Sequence, residues 1–149
     1  MIFQIEKLGF EELSSFLRLQ AQDAFPELKD EGRLKTFAEK WSVNADCSTC
    51  RDDEGNLIGM IAFYANRPEE AVVYIPHVYV RGEYRGNKVF FTMLRLIDTY
   101  AKKKNYLTMR LEVKKSNEIA QIAYSHYGFV ITGDATEDSY YMQYQISTT

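Results

Sequence analysis

The sequence predicts a single α/β domain (α+β by some schemes) built on one mixed sheet. Three observations predict it. Strand-like and helix-like segments alternate: a strand and two helices first, then three strands in succession, then strand–helix units. The 149 residues are enough for one core and few for two. No linker, repeat or low-complexity run divides them, so residues 1–149 are read as one domain.

Ile2, Phe3 and Ile5 open a first strand. From about Phe10 to Phe25, the residues Phe10, Leu13, Phe16, Leu17 and Ala21 fall on one helical stripe, which Pro26 interrupts. A second helix is expected over Leu28 to Trp41, with Leu34, Phe37, Ala38 and Trp41 at i, i+3, i+4, i+7. Two strands then flank the Asp53–Asn56 turn, the second running from Leu57 to Tyr64. Ala71 to Val80, rich in Val, Tyr and Ile, is another strand. A charged loop with two glycines, Arg81 to Lys88, leads to a helix over Val89 to Lys104. In the next strand Leu107, Met109, Leu111 and Val113 share one face, and Thr108, Arg110 and Glu112 the other. Asn117 to Tyr127 is helical and Gly128 ends it; Phe129–Thr132 and Tyr140–Ile146 are closing strands.

Charge and composition exclude several classes. At 46% hydrophobic and 26% charged, the chain is globular rather than disordered. A net charge of −3 argues against a nucleic-acid binder with a broad basic face. Lys102-Lys103-Lys104 and Lys114-Lys115 read as a cation-favouring helix C-terminus and a solvated turn. No apolar run approaches the roughly 20 residues of a membrane span, and MIFQIEKLGF lacks a signal peptide's apolar stretch. Cys47 and Cys50, the two cysteines, lie on one expected strand and so point to opposite faces. We therefore expect reduced thiols, no metal site, no nucleic acid, no membrane and a cytoplasmic location. The 11 tyrosines against one tryptophan stand out, because a phenol can both line a pocket and carry a proton.

Two segments carry chemistry. In the first, a strand ending at Val80 runs into Arg81-Gly82-Glu83-Tyr84-Arg85-Gly86-Asn87-Lys88 and then a helix. A helix N-terminus after such a loop presents free N–H groups, which suit a phosphate or pyrophosphate, and Arg81, Arg85 and Lys88 add charge. In the second, Asn117, Ala120 and Tyr124 share one helix face while Ile119, Ile122 and Ala123 share the roughly opposite one. The isoleucine stripe is expected to anchor the helix in the core. The other stripe would then lie along an extended ligand, although Asn117 also reads as an N-cap and Tyr124 as a boundary aromatic.

Together these segments resemble the GCN5-related N-acetyltransferase (GNAT) family over residues 78–129. Tyr84-Arg85-Gly86 is similar to the start of the family's pyrophosphate loop, with Val80, Met93 and Leu94 where the strand valine and helix apolar pair belong. Asn117, Ala120, Tyr124, Gly128 and Phe129 match the later family pattern, and the Leu111-Glu112-Val113 strand is similar to that of enzymes acetylating protein N-termini. Lys88 and Phe90 stand where the family has a glycine and a Gly/Ala. By its spacing with Leu94, Ile97 and Ala101, Phe90 belongs to the core-facing stripe.

The resemblance implies a mainly antiparallel sheet with a splayed strand pair, flanked by helices on both faces. Pro76, unable to donate to a ladder, is consistent with that splay. It implies an N-acetyltransferase that uses acetyl-CoA as co-substrate and passes the acetyl group to a primary amine by direct attack in a ternary complex. Val78, Tyr79, Val80, Arg85, Gly86, Asn87, Lys88, Val89, Phe90, Asn117, Ala120 and Tyr124 would bind the cofactor. Tyr124 would be the general acid, a phenol near pKa ~10 facing a thiol near ~8.5. Glu112, expected partly buried, is one candidate base; His77 is the alternative, and a water chain a third. His126 is read as structural, Tyr100 and Tyr106 as packing. Asp23, Glu27, Asp30 and Glu31 would line the acceptor approach, with Tyr64, Tyr74 and Tyr79 as cleft walls. The acceptor is a small amine, a peptide N-terminus or a lysine, and the chain a monomer or homodimer. The competing class is a non-catalytic CoA-binding or interaction module that retains the fold.

Overall fold

A computed structural model describes residues 1–86 and 88–146. The chain runs β1 (Ile2–Glu6), α1 (Phe10–Ala21), α2 (Glu31–Asn44), β2 (Asp46–Arg51), β3 (Leu57–Tyr64) and β4 (Val72–Val80). It continues α3 (Lys88–Lys103), β5 (Thr108–Lys114), α4 (Glu118–Tyr127), β6 (Val130–Thr136) and β7 (Ser139–Gln145). The strands form one seven-stranded sheet in the order β1-β2-β3-β4-β5-β7-β6. The β4–β5 pair is parallel and the others are antiparallel, so the mixed sheet expected from sequence is what forms. Among the described residues, no helix is long and apolar enough to cross a membrane.

Each face of the sheet carries a core. Leu13, Phe16 and Leu17 of α1 and Leu34, Ala38 and Trp41 of α2 bury one face. Met93, Leu94 and Ile97 of α3 bury the other, with Ala120, Tyr124 and Tyr127 of α4 packed beside them. Cys47 belongs to the first core and Cys50 to the second, so the two thiols lie on opposite sides of β2 and do not meet.

Several boundaries differ from the sequence reading, among them the end of the sixth strand, which runs to Thr136 rather than Thr132. The first helix stops at Ala21 rather than continuing to Phe25, and Pro26 keeps Phe25 itself out of the helical region, at φ −128° and ψ 68°. The second helix starts later, after a short 3-10 turn Pro26–Lys29, where the Asp30 carboxylate accepts the Arg33 N–H at 3.1 Å. Leu107 lies before β5 and is exposed; the Leu107 N–H donates to the Ala71 carbonyl, which ends the preceding loop.

Arg51 fastens β1, α1 and the β2–β3 hairpin to one another. Its guanidinium bonds both carboxylate oxygens of Glu6 at 3.0 Å, both of Glu12 at 2.7 and 2.8 Å, and the Gly55 carbonyl. Burial of Glu6 acts to raise its pKa, but hydrogen bonds from Arg51 and Thr49 outweigh it and hold the carboxyl below its ordinary value of 4.5. A depressed carboxylate stabilises the fold above its unfolded pKa, and that contribution is lost as pH falls through the folded value. Urea denaturation should therefore lose roughly 1 kcal/mol through Glu6 as pH falls below about 4.5. Glu6→Gln should remove that part of the acid slope; an unchanged slope would refute the clamp.

Candidate active site

Strands β4 and β5 are paired over Val72–Ile75 and Thr108–Leu111, and there the pairing stops. Beyond this point β4 stays with β3, and β5 stays with β7 through Lys114. The first residue past the last pair is Pro76, which has no N–H to give a neighbouring strand. The register with β3 also slips here: Ala62 faces His77 but Tyr64 faces Tyr74, so β4 carries one extra residue. The bulge changes which face the odd-numbered side chains use. Val73 and Ile75 enter the α3 core, whereas His77 and Tyr79 pack on the α1–α2 side.

A cavity of about 930 Å³ occupies the parting. Ile75–Val80 of β4 and Leu111–Lys114 of β5 form its sides. Asn117 before α4, Ala120 and Tyr124 of α4, Phe90 of α3, Arg85 and Ala24–Glu27 also line it.

Helix α4 presents the opposite stripe to the core from the one expected. Ile119 and Ile122 are 84% and 59% exposed, and Ala120, Tyr124 and Tyr127 pack inward. Two phenols decide the orientation. The Tyr127 and Tyr144 hydroxyls both donate to Oδ2 of Asp98 on α3, at 2.9 and 2.8 Å, binding α4 and β7 to that helix. Gly128 then turns the chain at φ +127°, and a Cβ there would sit 3.1 Å from the Tyr144 ring. His126, read as structural, is exposed in the last turn.

Tyr124 packs its ring against Phe90 (5.6 Å between centroids) and Phe129 (5.8 Å). Burial pushes its phenol up to about 12, and no group among the described residues bonds its hydroxyl. Asn117 caps α4 by accepting the Ala120 N–H at 3.1 Å. Phe90 is half-buried and divides its ring between the core edge and the cavity wall, rather than sitting wholly in the core stripe. Val89 beside it is buried, and Lys88 is exposed at the start of α3. Gly86 has φ +130°, a conformation side chains resist. Asn87 lies outside the described residues.

Arg85 does not stand free. Its Nε donates to the Val80 carbonyl at 2.9 Å, its Nη2 pairs with Asp23, and its guanidinium lies over the Tyr79 ring. The Tyr79 hydroxyl donates to the same Asp23 oxygen at 2.8 Å. The Tyr79 bond, followed by Arg85, holds the Asp23 carboxyl below its usual range against the opposing effect of burial. Asp23 therefore acts as a tie between the end of α1 and the loop, not as a free acid at the acceptor mouth. Asp30 is spent on its cap and Glu31 pairs with Arg18 at 3.2 Å, which leaves Glu27 on the cavity rim.

The two candidate bases sit very differently. His77 is buried, stacked on Trp41 (4.8 Å) and against Phe25 (4.5 Å), and its Nε2 donates to Gln20 Oε1 at 2.6 Å. Burial pushes its pKa down to about 3, so the ring is neutral and a poor base near pH 7. Glu112 is exposed rather than partly buried and faces the cavity, and its Oε2 accepts the Ser139 hydroxyl at 2.7 Å. Tyr74 and Tyr79 line the cavity, while Tyr64 lies away from it, beneath Lys40.

The model of the Acetyltransferase (GNAT) family matches residues 13–129. The chain belongs to that family. A search of curated proteins gives no match. Among solved structures, this GNAT chain is similar to Ard1 from Thermoplasma volcanium, at 21% identity and TM-score 0.74 over 99% of both chains. It is similar to the PaiA N-acetyltransferase of Thermoplasma acidophilum, solved in complex with coenzyme A, at 19% identity and TM-score 0.72 over 97% of this chain and 99% of that one. It also matches a nourseothricin acetyltransferase at 22% identity and TM-score 0.62, over 70% of this chain and 66% of that one. At these identities the likeness is one of fold.

Sequence reasoning missed Gln20 and Ser139, which bond His77 and Glu112, and Asp98, which holds α4 through Tyr127. All three act across 27 or more residues of sequence, and no local spacing signals that. The His77 assignment has a direct check. Its ring resonances should keep neutral-imidazole shifts from pH 8 to pH 5; a titration midpoint above pH 5 would overturn the buried, Gln20-bonded geometry. Because the folded pKa lies below the unfolded one, the protein should also lose stability as pH falls below about 6.5.

Proposed function

We propose that this chain transfers an acetyl group from acetyl-CoA to a primary amine by direct attack in a ternary complex. The observation that carries the proposal is the β4–β5 parting, whose cavity is lined by both Tyr124 and Glu112. The residues present fit an extended, anionic acyl carrier. Gly86 supplies a backbone bend before α3, whose first turn offers N–H groups toward phosphates, and Lys88 stands beside them. Val78, Tyr79 and Val80 offer backbone along the gap where β5 no longer pairs with β4. The Arg85 guanidinium is shared with Asp23, so phosphate contact would have to draw part of it away.

Acetyl-CoA, when bound, supplies the thioester that is cleaved. Backbone N–H groups of β4 beyond Pro76 stabilise the negative charge that develops on the carbonyl oxygen. Glu112, through its unspent oxygen or a water, takes the proton the amine loses as the new C–N bond forms. Tyr124, protonated at neutral pH, gives its proton to the departing thiolate as the C–S bond breaks. His77 is left out of the mechanism, since its Nε2 is committed to Gln20.

The alternative, a CoA-binding module without turnover, draws on Phe90 standing in the cavity wall against Tyr124. One experiment separates the two. In a thiol-release assay over a panel of amines, Tyr124→Phe should lower kcat by roughly 10²–10⁴. Calorimetric affinity for acetyl-CoA should change little. A wild-type protein that binds acetyl-CoA and turns over no amine would favour the module.

A further inference from the structure

We propose that the acceptor is a small zwitterion, an amine that carries its own carboxylate close by, as a free amino acid does, with Arg110 holding the carboxylate. The inference rests on the reading that this cavity acetylates an amine. Arg110 and Glu112 alternate onto the same face of β5, about 6.6 Å apart along the strand. They are opposite in charge, yet no ion pair joins them among the described residues; each is held by a neutral partner. Nε and Nη2 of Arg110 both donate to Gln143 Oε1, at 3.2 and 3.1 Å, and its guanidinium lies over Tyr141. Oε2 of Glu112 accepts from Ser139. One edge of the guanidinium and one carboxylate oxygen remain unspent.

Arg110 is also the exception among its kind. Three arginines are half-buried in the described residues: Arg51, Arg81 and Arg110. Arg51 is paired with Glu6 and Glu12, and Arg81 with Glu83. Arg110 has no carboxylate within ion-pair range among the described residues. A guanidinium partly removed from water and given an amide and a ring face but no anion keeps an edge open, and a planar carboxylate is the group that edge fits. Its position suits the task. In the parallel register Arg110 stands opposite Tyr74, one pair before the strands part, and Tyr74 lines the cavity. Arg110 itself stands just beyond the cavity lining, beside Tyr74 and two residues from Glu112, so an acceptor whose amine lies at Glu112 would reach it by extending its carboxylate past Tyr74. A polyamine would place a second cation there, and an ordinary peptide N-terminus a neutral amide.

The test compares each free L-amino acid with its own C-terminal amide in the thiol-release assay. The amide carries the less basic amine, so intrinsic reactivity near neutral pH favours the amide, and a preference for the acid has to come from the protein. For the best side chain, kcat/KM for the acid should exceed that for the amide by roughly tenfold to a hundredfold. Arg110→Gln should bring the ratio to within about a factor of two, and Arg110→Lys should leave it between. If Arg110→Gln does not fold, the wild-type ratio and Arg110→Lys decide alone. Amides or polyamines acetylated as well as or better than the acids, or a ratio that survives in Arg110→Gln, would overturn the inference while the acetyltransferase stands. A protein that neither binds acetyl-CoA nor acetylates any of these amines would overturn both.

Discussion

The layout of the site depends on one missing hydrogen-bond donor. Pro76 sits where β4 stops pairing with β5, and with no N–H it cannot extend the parallel ladder toward a neighbour. Two consequences follow from that position. The strands separate, and backbone that would otherwise be consumed in pairing faces a cavity. The accompanying bulge rotates the strand, so that its first half feeds the α3 core and its second half sends His77 and Tyr79 to the α1–α2 core. Pro76 thus stands both where the gap opens and where successive side chains change from one core to the other.

Around that gap, polar side chains are used mainly to hold elements in place. Asp98 gathers two phenols and sets the rotation of α4, which points Tyr124 at the cavity and leaves two isoleucines in water. Asp23 gathers Tyr79 and Arg85, and so links the end of α1 to the loop that precedes α3. Gln20 commits His77. Among the described residues, the groups left unspent around the cavity include the Tyr124 hydroxyl, one oxygen of Glu112, the Glu27 carboxylate and the backbone of β4, with the free edge of Arg110 beside it. The distinction between restrained and unspent groups narrows the acceptor more than the cavity's size does.

Much of this was readable from sequence, and what was not has a common cause. Pro76 within a Val- and Tyr-rich run signals a bulge, because the absent N–H is a property of the residue itself. The alternation of Met109, Leu111 and Val113 fixes the faces of β5, and Gly128 ends α4 in a conformation that favours glycine. The rotation of α4 was not readable. Its periodicity offers two apolar stripes, and the choice is made by Asp98 and Tyr144, whose partners in space are far along the chain. Asp23 and His77 were misjudged for the same reason: a carboxylate or an imidazole in a string of letters carries no record of the partner that will occupy it. The alternation of β5 puts Glu112 on the polar face, but its exposure depends on a gap that the strand pattern does not measure.

The central claim is that the parting of β4 and β5 is where the acyl carrier lies. Hydrogen exchange measured with and without acetyl-CoA tests it most directly, because amides on facing, unpaired strand edges exchange readily until something covers them. Acetyl-CoA should slow exchange over residues 77–80 and 112–114 and leave the β1–β2 edge unchanged. Exchange that is unaltered in both segments, or protection confined to another part of the sheet, would contradict it.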